Sequence, residues 1–137
     1  MSEKLLYLDS SAILKFVVPE PETGALVALL ANWPERISSA LARVEVSRAV
    51  RRAGASEAVR QRGEEVVARI GLLGIDAPVL NAAARLDPPG LRTLEAVHLA
   101  TALSVGRDLG CLVSYDPRLL GAAAAAGLAV LAPGEEG

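Results

Sequence analysis

The 137 residues, 52% hydrophobic and 22% charged, are enough for one buried core and too few for two domains of usual size, and they exclude a disordered or coiled-coil chain. A net charge of -2 argues against a surface built as a whole to hold nucleic acid by counterion release, and 3% aromatic content disfavours RNA binding on stacked rings. Cys111 and His98 are the only cysteine and histidine, so an internal disulfide and a Cys/His zinc cluster are excluded and any metal must sit on oxygen ligands.

Along the chain, Lys4-Leu5-Leu6-Tyr7-Leu8 reads as a buried strand that delivers Asp9 at its C-terminal end. A helix follows, broken by Val17-Val18-Pro19-Glu20-Pro21, since each proline lacks a donor and restricts the residue before it. Thr23 to Ala31 has helical spacing and closes at Asn32-Trp33-Pro34, and Arg36-Ile37-Ser38 is a short second strand. From Ser39 the inward set Leu41, Val44, Val46, Ala49 and Val50 predicts a helix capped by Gly54. Ser56 caps the next helix, which runs to about Ile70 with Val59, Val66, Val67 and Ile70 inward and the helix-weakening Gly63 in its middle.

Leu72 to Asp76 is a third strand, Pro78 opens a helix to Leu86, and Asp87-Pro88-Pro89-Gly90 is a loop. Thr93 caps a helix reaching Val105. Cys111 to Ser114 is a strand that ends at Tyr115-Asp116. Pro117 starts a helix running to the Gly127 cap, and Leu128 to Leu131 is the last strand. Continuous apolar strands alternating with helices predict an α/β fold, a parallel sheet covered on both faces and joined by right-handed crossovers. The expected organisation is one domain over 1–133 with a loose tail at 134–137. The start Met1-Ser2-Glu3-Lys4 has no basic region leading into an apolar run, and the longest uncharged stretch, Leu119 to Gly134, falls short of the roughly 20 residues that span a bilayer, so a cytosolic chain with no membrane segment is expected.

In open parallel sheets ligands bind outside the carboxyl ends of the strands, where Asp9 and Asp116 both fall. Either aspartate alone reads best as a helix N-cap; two on one edge favour a site. Glu45 lies near the core boundary of its helix, its bland alternative being an ion pair with Arg48. Glu95 lies in a first helical turn, where a capping box explains it fully. His98 shares nearly the same face as Glu95 and reads as a packing histidine with satisfied nitrogens, since no nucleophile lies nearby in sequence for it to activate. Trp33 reads as a hydrophobic plug and Cys111 as a small core residue.

Four segments resemble the signature blocks of PIN-domain ribonucleases, and most of all the VapC-type toxins of bacterial toxin–antitoxin pairs. They are Tyr7-Leu8-Asp9-Ser10-Ser11-Ala12-Ile13-Leu14-Lys15, Ser38-Ser39-Ala40-Leu41-Ala42-Arg43-Val44-Glu45-Val46, Leu94-Glu95-Ala96-Val97-His98-Leu99-Ala100-Thr101-Ala102 and Val113-Ser114-Tyr115-Asp116-Pro117-Arg118-Leu119. The resemblance implies a three-layer α/β/α sandwich with a central parallel sheet, and catalytic acids at Asp9, Glu45, Glu95 and Asp116. It implies Mg²⁺ or Mn²⁺ on Asp9, Asp116 and Glu95, with Ser11 and Ser114 supporting the carboxylates. Glu95 departs from the aspartate usual there, and its longer reach leaves it either on the metal through water or only shaping the site. The implied activity is metal-dependent endoribonuclease cleavage leaving a 5′-phosphate and a 3′-hydroxyl, with transfer or ribosomal RNA loops as substrates and a cognate antitoxin as inhibitor.

Lysine occurs only at Lys4 and Lys15, and seven arginines lie between Arg43 and Arg69, so Arg43, Arg48, Arg51 and Arg52 are expected to bind substrate phosphates. Apolar stripes on the Thr23 to Ala31 and Ser56 to Ile70 helices point to a homodimer. Two rivals stand beside the toxin reading. One is a DNA nuclease or phosphatase on a similar sheet, although Ser11 occupies the place of the second aspartate that a haloacid-dehalogenase-type phosphatase wants. The other is a catalytically weakened PIN-like module that binds RNA or protein. A Walker loop, a G-x-S-x-G elbow and a G-x-G-x-x-G turn are all absent from the sequence.

Overall fold

A computed structural model describes residues 4–135. Residues 1–3, 136 and 137, which carry the start of the chain and part of the expected tail, lie outside the described residues. In chain order the elements are β1 (Leu5–Leu8), α1 (Ser10–Val17), α2 (Thr23–Leu30), β2 (Arg36–Ser39), α3 (Leu41–Arg52), α4 (Glu57–Ala68), β3 (Gly71–Leu73), α5 (Ala77–Ala84), α6 (Thr93–Ser104), β4 (Leu109–Val113), α7 (Pro117–Ala125) and β5 (Val130–Leu131). Among the described residues no helix is long and apolar enough to cross a membrane.

All strand pairs are parallel, in the order β3-β2-β1-β4-β5. β1 is central, with Tyr7 opposite Ile37 of β2 and Leu112 of β4. Side chains alternate across a strand. Leu6, Leu8, Cys111 and Val113 therefore enter one core with Ile13, Val17, Leu26, Val46 and Val50, while Tyr7 and Leu112 enter the other with Leu99, Leu119 and Ala123. This is the expected three-layer sandwich, with the helices between β1 and β3 on one face and those after β3 on the other.

That arrangement follows from crossover handedness. The chain steps outward from β1 to β3, returns to the far side of β1, and continues to β5, so right-handed connections place the second set of helices on the opposite face. The switch point lies between β1 and β4: after β1 the chain turns to one face, after β4 to the other, and a crevice opens at their carboxyl ends. Asp9 N donates to Val113 O at 3.2 Å across this junction.

Several boundaries differ from the sequence reading for local reasons. β3 spans Gly71–Leu73 rather than Leu72 to Asp76, because Asp76 is spent as the N-cap of α5, accepting from Val79 N at 3.0 Å. Thr93 lies inside α6, whose N-cap is Arg92. Val44, expected inward, is exposed. The α4 stripe expected to favour a dimer is not free, since Val59, Val66, Val67 and Ile70 pack on the core, and α2 leaves only Val27 among its large apolar residues exposed. Gly134, the first residue of the expected tail, lies against Glu22 and Ala25 of the α2 region.

Two glycines with side chains close around them behave oppositely. A Cβ at Gly63 would meet Val17, Val46 and Val50 at 3.6–3.9 Å, ordinary packing distances, whereas one at Gly110 would overlap the Trp33 ring. Gly63→Ala should therefore stabilise the protein by about 0.5–1 kcal/mol through helix propensity alone. Gly110→Ala should destabilise it by about 1–3 kcal/mol through overpacking. Urea unfolding of both variants checks the pair, and the opposite order would contradict the packing described.

Candidate functional site

Asp9 caps α1 and accepts from Ala12 N at 2.9 Å, as the bland reading foresaw. Its burial goes further than capping requires: it is 4% exposed, where an N-cap is usually solvated. Oδ1 also accepts from Ser11 Oγ at 2.7 Å, and Oδ2 accepts from Ser114 Oγ at 2.6 Å. The two serines are themselves held by the β4 end, since Tyr115 N donates to Ser11 Oγ at 2.9 Å and Asp116 N to Ser114 Oγ at 3.0 Å. Burial pushes the Asp9 carboxyl above its ordinary value against the pull of the Ser114, Ser11 and Ala12 bonds.

Asp116 caps α7 through Arg118 N at 2.9 Å and faces Glu95 of α6. Glu95 does close a capping box, accepting from Arg92 N at 2.9 Å, yet it is 8% exposed and in hydrogen-bonding reach of Asp116. Burial and the Asp116 interaction together raise the Glu95 carboxyl. For Asp116, burial acts upward but is outweighed by bonds from Glu95 and from the Arg118 and Leu119 backbone, which hold it low. Of this pair Glu95 is therefore the weaker acid, losing its proton after Asp116. The Arg118 guanidinium stands 4.0 Å from Glu95 Oε2 at the solvent side.

Glu45, on α3, makes no ion pair with Arg48. Its Oε1 accepts from Ser10 Oγ at 2.6 Å and lies 2.6 Å from His98 Nε2. Burial acts to raise this carboxyl, and the His98 and Ser10 bonds overcome it, so Glu45 is held below its ordinary value. His98 also bonds the Tyr7 hydroxyl, which burial pushes far above its usual range and so keeps protonated. The four acids thus come from four parts of the chain: Asp9 buried among its donors, Glu45 bonded to His98 and Ser10, and Glu95 facing Asp116.

The donor set suits a hard cation. The facing carboxyls of Glu95 and Asp116 are hard oxygen donors, and Mg²⁺ needs just one or two carboxylates plus waters. Among the described residues no three His, Cys, Asp or Glu side chains are grouped so as to hold a metal ion by themselves. Ser10, Tyr7 and Arg118 were not singled out by sequence reasoning, and His98 was read as packing. The available signals were the position of Ser10 directly after Asp9, and the placement of His98 one helical turn after Glu95.

The predicted arginines divide. Arg48 and Arg52 follow Glu45 by three and seven residues, on its helical face. Arg43 and Arg51 instead open onto a groove of about 960 Å³ between α3 and α4, with Glu57, Arg60 and Glu64 on its other wall. This groove is lined by none of the four acids.

A PIN domain model matches residues 6–125. The chain is 50% identical to "Ribonuclease VapC46" of Mycobacterium tuberculosis over 128 residues, covering 93% of this chain and 97% of that protein. It is 42% identical to "Ribonuclease VapC35" of the same species over 96% of this chain and 98% of the relative. Among solved structures, the M. tuberculosis VapC20 toxin, described as cleaving the sarcin-ricin loop, superposes with a TM-score of 0.74 at 15% identity over 93% of this chain and 99% of that one. A toxin-antitoxin complex from Klebsiella pneumoniae gives 0.69 at 18% identity over 93% and 97%.

The raised Asp9 carboxyl carries a stability cost. Between the ordinary value of 3.8 and the raised native value, the folded chain keeps a proton that the unfolded chain has lost. Stability from this group is therefore complete below 3.8 and declines as pH rises through the window. At neutral pH in EDTA, Asp9→Asn should melt above the unsubstituted protein, and its stability should fall less with rising pH over the acidic range. Calorimetry across pH checks this, and a lower melt at every pH would contradict it.

Proposed function

The chain belongs to the PIN-domain family as a VapC-type ribonuclease toxin, and on that premise we propose that it is a Mg²⁺-dependent endoribonuclease whose site is Asp9, Glu45, Glu95 and Asp116. The observation that carries the reading is the buried Asp9 carboxylate, held by three donors at the β1–β4 switch point and tied through Ser114 to Asp116, which faces Glu95. Asp9 and Asp116 would hold the ion, and Glu95 would join them directly or through water; Mn²⁺ fits the same oxygens. Bound there, the ion acidifies water and offsets charge on the phosphoryl oxygens.

The chain's own groups do the rest. Glu45, ionised and held by Oε1, accepts the proton of the attacking water at its other oxygen. Water oxygen bonds to phosphorus, the P–O3′ bond breaks, and the 3′-oxygen takes a proton, leaving a 5′-phosphate and a 3′-hydroxyl. Arg48 and Arg52 bind flanking phosphates, and Arg118 offsets charge at the mouth of the acid pair. Single-stranded loops of transfer or ribosomal RNA are the substrate class, because they expose backbone. A cognate antitoxin is the inhibiting partner, in line with the toxin-antitoxin complex that shares the fold. The homodimer reading keeps Val27 of α2 as its support.

Cleavage of total RNA by the purified chain should require Mg²⁺, stop in EDTA, and fall by at least about a hundredfold in Asp9→Asn and Asp116→Asn with the fold retained. Full activity in a folded Asp9→Asn variant would sink the site, and a folded unsubstituted chain that binds RNA without cutting it would favour the weakened module. For the arginines, RNA binding in Ca²⁺ should weaken about equally across sequences in Arg48→Ala/Arg52→Ala, and the logarithmic salt slope should flatten by about 0.7 for each phosphate that is no longer neutralised. Unchanged slope and affinity would remove α3 from the RNA-binding face.

A further inference from the structure

His98 is the one imidazole of the chain, 3% exposed in the middle of α6, with both ring nitrogens engaged. The Tyr7 hydroxyl lies 2.7 Å from Nδ1, and Nε2 lies 2.6 Å from Glu45 Oε1. Tyr7 is fully buried on β1, and its ring meets the imidazole edge-on, with centroids 5.9 Å apart and planes at 82°. Ser10 Oγ donates to the same Glu45 oxygen at 2.6 Å. Side chains from β1, α1 and α6 are thus linked to a single oxygen of a carboxylate carried by α3.

We propose that Tyr7 and His98 are positioning residues of the cleavage site: the Tyr7 hydroxyl fixes the His98 tautomer, His98 holds Glu45 by Oε1, and Glu45 is thereby oriented to keep its other oxygen for the reacting water. The inference rests on the assignment of Glu45 to that site. Donor and acceptor chemistry gives it direction. A phenol donates to Nδ1 only when that nitrogen carries no proton, which in the neutral ring leaves the proton on Nε2, the atom facing the carboxylate. The other neutral tautomer would set the lone pairs of Nε2 and Oε1 against each other across 2.6 Å. A glutamate on a helix face otherwise samples several rotamers; two donors on one oxygen remove that freedom, and reactions in held geometries are sensitive to it. The same logic orients metal-site ligands through a histidine whose second nitrogen is bonded.

The single imidazole makes the tautomer directly readable by ¹⁵N NMR on the full chain. The expected result is the Nε2-protonated form in the unsubstituted protein and a tautomer mixture in Tyr7→Phe, which keeps the ring and loses only the hydroxyl. In the Mg²⁺-dependent RNA cleavage assay, Tyr7→Phe should lower kcat about tenfold with KM within about twofold. His98→Gln, whose amide nitrogen reaches the Nε2 position, should recover activity relative to His98→Ala. An Nδ1-protonated ring in the unsubstituted protein overturns the proposal. Glu45→Gln cleaving at the unsubstituted rate removes Glu45 from the site and the proposal with it. If Glu45→Gln is impaired while Tyr7→Phe keeps its kcat, the positioning role alone fails and the reading of the site stands.

Discussion

The site and the centre of the sheet both depend on keeping the Asp9 carboxylate out of water. Burying an ionised carboxylate is costly unless its oxygens are bonded, and the effective penalty after relaxation is still several kcal/mol. Here Ala12 N, Ser11 Oγ and Ser114 Oγ supply the bonds, and the raised carboxyl shows that they offset the penalty only in part. The serines can do this only if β1 and β4 end side by side, because each is fixed by backbone N–H groups of the β4 end. Strand pairing, helix capping and site geometry are therefore one hydrogen-bonded unit, and a shift in the β1–β4 register would break all three.

The remaining acids lie in different electrostatic settings. Glu45 is held low by His98 and a serine, while Glu95 is raised and Asp116 lowered where the two face each other. The extra methylene of Glu95 is used at once: one oxygen closes the α6 capping box at Arg92, and the carboxyl still reaches Asp116.

The surface separates two kinds of positive charge. Arg48 and Arg52 share the Glu45 face of α3, whereas Arg43 and Arg51 turn to the large α3–α4 groove, where acidic and basic side chains mix. A helix that carries four arginines thus serves two surfaces, and only one of them adjoins the acids. The α3–α4 groove and the four acids lie at different places in this fold.

Much of this was legible in the residues alone, because local patterns have local causes. Continuous apolar runs at Leu5–Leu8 and Leu109–Val113, prolines opening α5 and α7, and Ser56 as a helix cap follow from periodicity and capping chemistry, and the parallel sheet follows from their alternation. Asp9 and Asp116 could be placed at strand ends for the same reason. What sequence distance hides is partnership. Tyr7 meets His98 across 91 residues, His98 meets Glu45 across 53, and Ser114 meets Asp9 across 105. No periodicity encodes such pairings, so a histidine that reads as packing becomes the support of a carboxylate, and an expected apolar stripe on α4 becomes core. Sequence decided which side chains stand at strand ends and helix starts, since backbone geometry is set within a few residues. Only the tertiary structure decided which of them meet and which carboxyls are raised or lowered, since burial and charge depend on neighbours that crossovers bring from far along the chain.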